Sequence, residues 1–535
     1  MNKECVDYMK NLYLIICILA LCGCSGFLEE YSQDKSYIKG YDDLDEILLG
    51  NAYFERFYVS NGWQFSGIAG ENYLPCLHVM SDELAQQTRG SSWVAEGACG
   101  TIYGYHTWQY RVYENLEGKT AWDDAADFRH LYSHINACNI ILEEIKAYED
   151  VTEEEDVQNV NRIKGESYFL RGSCYFFLVN LYGRPYAKAT AGNDPAVPIK
   201  LSNSVEDKYY QRNSVSEVYE RVVADLLEAE KYLKNVSKKS VWRADVVAAR
   251  LMLSRAYLYM CDYENAAKYA KLVTEEGPRL TDLNGYSNSQ FLYPGLSELI
   301  FSTGSTSLPG ALSFYATSET SINTYVSNQD MRISDELYLA YKPEEAKDLR
   351  LEHFVVSSDG LGLLYKKMHG RTFVTPDMSD VFVLRTSEAY LNLAEAAACG
   401  EDEVTARKAL NDLRERRIKR EAFDEAEVNA LSGEELVRFI REERQRELCL
   451  EGHRWFDLRR YKVAEKFPQA TTINHVVENR VRNETTWTYE TIWKRRFTLT
   501  PEDPAWVLPL PKVELDKNTG MIDNPRNERK GEDVE

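Results

Sequence analysis

Residues 249–272 read ARLMLSRAYLYMCDYENAAKYAKL, and this stretch decides how the chain folds. Apolar positions recur at helical spacing on both sides of a polar break at Cys261-Asp262-Tyr263, which describes two helices joined by a tight turn. A second copy of the pattern stands at 389–413, AYLNLAEAAACGEDEVTARKALNDL, with its break at Gly400-Glu401-Asp402. In each copy an alanine near the end of the first helix precedes one in the second by ten positions, Ala256 to Ala266 and Ala396 to Ala406. Small residues there let the two helices of a hairpin pack closely, as in a tetratricopeptide unit. The copies begin 140 residues apart, so a regular array is not expected. The expected fold is mainly α, a tetratricopeptide-like helical-hairpin scaffold interrupted by long, loop-rich insertions.

Further helix-period stretches lie at about 41–58, 127–147, 157–182, 215–235, 243–260, 263–276, 384–399, 403–420 and 434–450. Ser214-Val-Ser-Glu217 is a capping box, with serine and glutamate side chains satisfying free N–H groups. Val218, Val222, Leu226, Ala229 and Leu233 then share one helical face. Two long segments, about 59–125 and 277–380, lack that period and are rich in Gly, Ser, Tyr and Trp. Segments that long inside a folded chain usually carry function. The expected organisation is a scaffold over about 41–58, 126–276 and 381–462, variable insertions between, and a closing segment at 463–535.

The chain has 535 residues, enough for a large core, and a formal net charge of −22. That charge argues against a nucleic-acid partner and against attachment to an anionic membrane by charge alone. Of eleven cysteines, four lie in the first 24 residues. The others (Cys76, Cys99, Cys138, Cys174, Cys261, Cys399 and Cys449) are scattered, form no CxxC pair, and read as small apolar core residues. Cys76 and Cys99 are the two placed to pair across a loop.

Residues 11–21, NLYLIICILAL, follow Lys10 and are too short for a permanent span, which needs about 20 apolar residues. A basic flank and a short apolar run ending in Leu21-Cys22-Gly23-Cys24 describe a lipoprotein signal peptide over 1–23. Cys24 is then the lipidated first mature residue and 24–40 a polar tether. Read from Met9, the leader becomes more compact. No later apolar segment reaches spanning length.

Several blocks resemble the SusD/RagB family, in that family's order. They are LYSHINACNIILEEI (131–145), KGESYFLRGSCYFFLVNLYGRPY (164–186), NSVSEVYERVVADLLEAEKYL (213–233) and LRTSEAYLNLAEA (384–396). The most specific is IREERQRELCLEGHRWFDLRRYK (440–462), followed by Leu508-Pro509-Leu510-Pro511 and Asn524-Pro525 near the end. The resemblance implies a nutrient-binding lipoprotein anchored in the outer membrane, exposed at the cell surface and sitting as a lid over a SusC-like TonB-dependent outer-membrane transporter. It implies oligosaccharide as ligand and no catalytic activity, with the variable half deciding ligand identity; no cofactor is expected.

The signature block gathers Arg444, Glu447, Glu451, His453, Arg454, Asp457, Arg459 and Arg460, and reads as a salt-bridge network knitting helix to loop. Acidic pairs such as Asp82-Glu83 and Asp123-Asp124 carry little weight among 85 acidic residues, and no triad, phosphate loop or metal-ligand spacing stands out. Sugar binding asks for aromatic rings to stack on pyranose C–H faces, with polar groups for the hydroxyls. Thr101-Ile-Tyr-Gly-Tyr-His-Thr-Trp-Gln-Tyr110 supplies both, shortly after Trp93. Trp93, Tyr105 and Trp108 are the first candidates for ligand contact, with Tyr286 and Tyr315 behind them. A peptide ligand and a ligand-free helical adaptor are the alternatives. Exposed aromatics would favour a glycan, a deep groove with strand edges a peptide, and a featureless polar surface an adaptor.

Overall fold

The computed structural model describes residues 38–54, 74, 76–86, 98–121, 123–204, 206–288, 290–304, 331–358, 362–365, 367, 378–483, 485–486 and 488–535. The scaffold helices are α1 (Tyr41–Ile47, continued by a π turn at Leu48–Ala52), α2 (Ala126–Glu144), α3 (Glu154–Tyr182), α4 (Val215–Leu233) and α5 (Val246–Tyr259). They continue with α6 (Tyr263–Glu276), α7 (Thr386–Cys399), α8 (Glu403–Arg414), α9 (Gly433–Leu448) and α10 (Arg454–Lys462). The capping box at Ser214 forms in both directions, with Ser214 and Glu217 each bonding the other's backbone N–H. Asp262 and Asp402 cap α6 and α8 from the two hairpin turns.

Neighbours in the stack are α2–α3, α3–α4, α4–α5, α5–α6, α6–α7 and α7–α8, with α9 also against α7. The two hairpins read from the sequence thus lie side by side, although the chain makes a long excursion between them. Leu258, Ala266 and Ala396 form one buried cluster at that junction. Ser254 donates to the Ala266 carbonyl at 2.9 Å and Asn392 to the Ser254 hydroxyl at 3.3 Å, so the small residues bring polar atoms of three helices into reach. The fold is the helical, tetratricopeptide-like one expected. Cys76, Cys138, Cys174, Cys261, Cys399 and Cys449 are buried free thiols, consistent with packing rather than chemistry.

Among the described residues nine strands accompany this stack: β1 (Leu84–Gln86), β2 (Leu299–Ser302), β3 (Met331–Ile333), β4 (Val355–Ser358), β5 (Gly362–Tyr365), β6 (Val383–Arg385), β7 (Ile473–Arg482), β8 (Tyr489–Leu499) and β9 (Glu532–Asp533). Pairs β1–β3, β2–β6 and β4–β5 are antiparallel, and β7–β8–β9 form a three-stranded antiparallel sheet. The β7–β8 hairpin is the largest feature that helical periodicity in the closing segment does not anticipate. Gln86 fastens it to β1, exchanging two hydrogen bonds with the Glu478 backbone at 2.6 and 2.8 Å.

A buried ion network welds the second excursion to the scaffold. Arg385 at the end of β6 reaches Glu451 at 2.7 and 3.0 Å, Glu447 at 2.9 Å, and Glu298. Arg417 reaches Glu298 at 2.8 Å and Glu447 at 2.8 and 3.0 Å. Arg350 reaches Glu447 at 3.2 Å and Glu443 at 2.6 Å. Burial alone would raise the Glu447 carboxyl, but Arg417, Arg385 and Arg350 hold it well below the usual carboxylate range. In the signature block Arg460 makes a bidentate pair with Glu395 at 2.7 and 2.9 Å, and Arg454 one with Asp82 at 2.7 Å on both arms. Arg444 meets Asp457 at 2.7 Å, and Arg459 donates to the Asn180 and Gly183 carbonyls at the end of α3. Gly452 turns between α9 and α10 at φ +77°, with Val381 backbone 3.0 Å from where a Cβ would stand. These charges are spent on one another, as a structural network requires.

Beside this network Glu83 is buried, accepts the Leu450 N–H at 3.1 Å, and has its pKa pushed up to about 8 by burial and by the neighbouring Asp82. A carboxyl raised in the folded state binds its proton there while the unfolded chain releases it near pH 4.5. Its contribution is therefore complete below about pH 4.5 and is lost as pH rises through about 8. Glu83→Gln, which keeps the neutral form at every pH, is expected to flatten the fall in unfolding free energy between pH 6 and 9, measured by urea titration, by about 1–3 kcal/mol. An unchanged pH slope in the variant contradicts this.

Candidate functional site

Within the first excursion the short helix Ala98–His106 is followed by a turn back over residues 107–121. Ile102, Tyr105 and His106 stand three and four positions apart on one face, and all three are buried. Gly104 lets this helix lie directly on the returning chain, since a Cβ there would stand 2.4 Å from the Val112 carbonyl oxygen. After the helix the backbone reverses at Trp108, which adopts φ +52°. The reversal drives the indole inward, where it donates to the Met80 carbonyl at 3.0 Å.

Trp108 stacks on His475 at 4.4 Å, and His475 on His106 at 3.9 Å, making a three-ring pile under the turn. Burial lowers His475 to about 4, so its imidazole is neutral at physiological pH. Trp108 is 0% exposed, which corrects its place as a ligand-contact candidate: it is a core side chain holding the turn down. Tyr105 is corrected on the same ground, being 9% exposed within the main core. Tyr286 is half-buried, donates its hydroxyl to the Gln290 carbonyl at 2.7 Å, and packs edge-on to His353 at 5.1 Å. Its polar end is thus committed to its own loop. Trp93, Tyr315 and Cys24 lie outside the described residues.

The rings that do face outward in this segment are Tyr103, Tyr110 and Tyr113. Tyr110 is 51% exposed and the other two are half-buried. Tyr110 stands between two cavities. One, of about 500 Å³, is lined by Tyr103, Gln109, Tyr110, Arg111, Asn115 and the strap Glu528–Lys530, among others. The other, of about 230 Å³, lies among Tyr105, Tyr110, Tyr113, Asp124, Lys512 and Arg526. Asn115 shapes the turn, accepting the Glu117 and Lys119 N–H groups at 2.9 Å each. Arg526 donates to the Val507 carbonyl at 3.0 Å, while its Nε and Nη2 have no partner among the described residues. Burial and the nearby Arg529 pull its pKa down to about 10.

An exposed ring with amide, guanidinium and carboxylate groups around it can stack on a pyranose and bond its hydroxyls. Of the sequence candidates in this stretch, Tyr105 and Trp108 fall on its buried face. Tyr105 stands three residues after Ile102 on the apolar side of a helix, a signal that favours Tyr103 and Tyr110 as the outward rings.

The closing segment completes the frame. Asn524 donates to the Tyr182 and Leu508 carbonyls at 2.8 and 2.7 Å, and Trp455 of α10 stacks on Trp506 at 4.8 Å. A family model described as the SusD family matches residues 357–526, taking in α7 to α10, the β7–β8 hairpin and this closing turn. One described as starch-binding, associating with outer membrane, matches residues 75–258, from the aromatic turn through α5. SusD-like protein P2 of Formosa agariphila is 25% identical over 353 residues, 58% of this chain and 67% of that protein. A SusD superfamily protein from Bacteroides thetaiotaomicron shares the fold at TM-score 0.63 and 22% identity, over 91% of this chain and 99% of that one. A laminarin binding SusD-like protein shares it at TM-score 0.55 and 18% identity, over 91% and 98%. Two SusD-family models, matching residues 75–258 and 357–526 and together most of the chain, show that the protein belongs to the SusD family.

Proposed function

We propose that this protein is a cell-surface lipoprotein that captures oligosaccharides at the Tyr110 platform and delivers them to a SusC-like TonB-dependent outer-membrane transporter. The observation that carries the reading is Tyr110 itself, an exposed ring on a turn between two cavities with polar side chains in their walls. In this reading the protein holds its ligand without cleaving it. The matching model's description names starch binding at the outer membrane, and one protein of the same fold binds laminarin, which supports glycan as the ligand class. No helix among the described residues is long and apolar enough to cross a membrane, so attachment in this reading falls to acyl chains on Cys24.

Tyr110→Ala is expected to weaken retardation in native gels containing the cognate polysaccharide by about tenfold in affinity, a loss of about 1.4 kcal/mol. Its unfolding free energy from urea titration should stay within about 0.5 kcal/mol of the parent's, since the ring is exposed. Retardation of the parent by no glycan, with peptides binding in calorimetry, would remove the glycan reading.

A further inference from the structure

The two cavities beside Tyr110 are not isolated. Tyr110 and Arg111 stand in the walls of both, and the smaller one shares Asp523 and Asn524 with a third cavity of about 350 Å³. That third cavity, with Gln211, Met521 and Ile522 in its walls, shares Arg184, Asn524 and Pro525 with a fourth of about 330 Å³. The fourth lies between the turn after α3, the helix α10 and the closing segment, and Trp506 forms part of its wall. Four cavities thus adjoin in order, each parted from the next only by residues that line both. Each is near or below the low end of the ~300–1,000 Å³ typical of a small-molecule site, so one holds a short fragment and the row holds a chain.

The walls between them are held in place. Asn524 lines the second, third and fourth cavities, and both ends of its amide are engaged: it donates to the Tyr182 and Leu508 carbonyls and accepts from Arg212 at 2.9 Å. Trp506 is backed by Trp455 and donates its indole N–H to the Thr500 carbonyl at 2.8 Å. Apolar surface stays open along the row, with Ile522 78% exposed in the third cavity beyond Tyr110. The charges are largely matched within the same walls. Arg111 meets Glu114 at 2.9 Å, Arg184 meets Asp194 at 3.4 Å, Lys462 meets Glu502 at 3.0 Å and Arg529 meets Asp503 at 2.5 Å. Apolar faces with matched polar groups between them suit the C–H faces and hydroxyls of an uncharged sugar chain.

We propose that the ligand is a long, neutral oligosaccharide chain, extended from Tyr110 across Ile522 to the Trp506 cavity, with the third and fourth cavities as added subsites. This rests on the glycan-capture reading above and names the ligand's class by charge and length. Once Tyr110 holds one unit, the next units meet their subsites from within the same molecule, so affinity grows with chain length without any single strong contact.

The test is calorimetry on the whole chain in detergent, with short and long malto-, laminari- and manno-oligosaccharides as neutral probes and oligogalacturonate as the acidic one. In the neutral series that binds, a chain of about eight units is expected to bind about tenfold or more tighter than one of about three. Ile522→Arg should weaken the long chain several-fold and leave the short one as in the parent, because the short chain is held at Tyr110 alone. Its urea midpoint should match the parent's, since Ile522 is largely exposed. Ile492→Arg, at a position 60% exposed on β8 and outside the row, should change neither affinity. A gain with length that Ile522→Arg leaves intact reflects the many registers of a long chain on one subsite, and overturns the proposal. Equal affinity at both lengths, or tightest binding by oligogalacturonate, overturns it too and leaves glycan capture standing. Binding of no saccharide removes the underlying reading instead.

Discussion

Glu447→Ala is expected to lower the stability of the folded protein by about 3–5 kcal/mol, the loss typical of breaking a buried pair from one side. Glu447 is 0% exposed and is shared by Arg417, Arg385 and Arg350. Removing its charge leaves those guanidiniums repelling one another in a region where water cannot compensate them. Because Glu447 lies in α9, Arg385 in β6 and Arg350 in the second excursion, the damage reaches all three segments. The comparison variant is Glu465→Ala, whose pair with Lys188 at 2.6 Å has both side chains about half exposed. That exposed pair contributes about 0–1 kcal/mol. Urea titration followed by tryptophan fluorescence measures both, and equal midpoint losses would show that the network contributes no more than a surface pair.

Trp108→Ala is expected to destabilise the protein by about 3–5 kcal/mol, as truncation of a buried tryptophan does. The indole is fully buried, stacks on His475 and satisfies the Met80 carbonyl, so the variant opens a void and orphans an acceptor. Glycan affinity should fall only in step with the unfolding of the turn. At urea concentrations where Trp108→Ala remains folded, its binding should approach that of the parent, whereas Tyr110→Ala should be weak under every condition. A Trp108 variant of parental stability that fails to bind would return the indole to the ligand surface.

The contrast between Tyr110 and Trp108 marks how far local sequence reasoning reaches. Both belong to one aromatic decapeptide, and composition alone treats them alike. The helix period separates Tyr105 from Tyr103, because burial follows the face shared with Ile102. Trp108 is decided by a positive φ at the end of a helix, where nothing in the text announces the reversal. The indole turns inward because His475, more than 360 residues away, supplies the ring it stacks on.

What the sequence determined by itself is local: the scaffold helices, their serine and aspartate caps, the hairpin turns at Cys261 and Gly400, and the motifs that identify the family. Those features follow from a 3.6-residue period and from hydrogen bonds spanning three or four residues, which are legible in a short window. The tertiary structure alone decided that the hairpins stack across a 110-residue excursion, that Glu298, Arg385, Arg417 and Glu447 share one buried network, and that Tyr110 faces out while Trp108 faces in. Each of these depends on which distant surface comes to lie opposite, and the energy that selects it arises only when both surfaces leave water together.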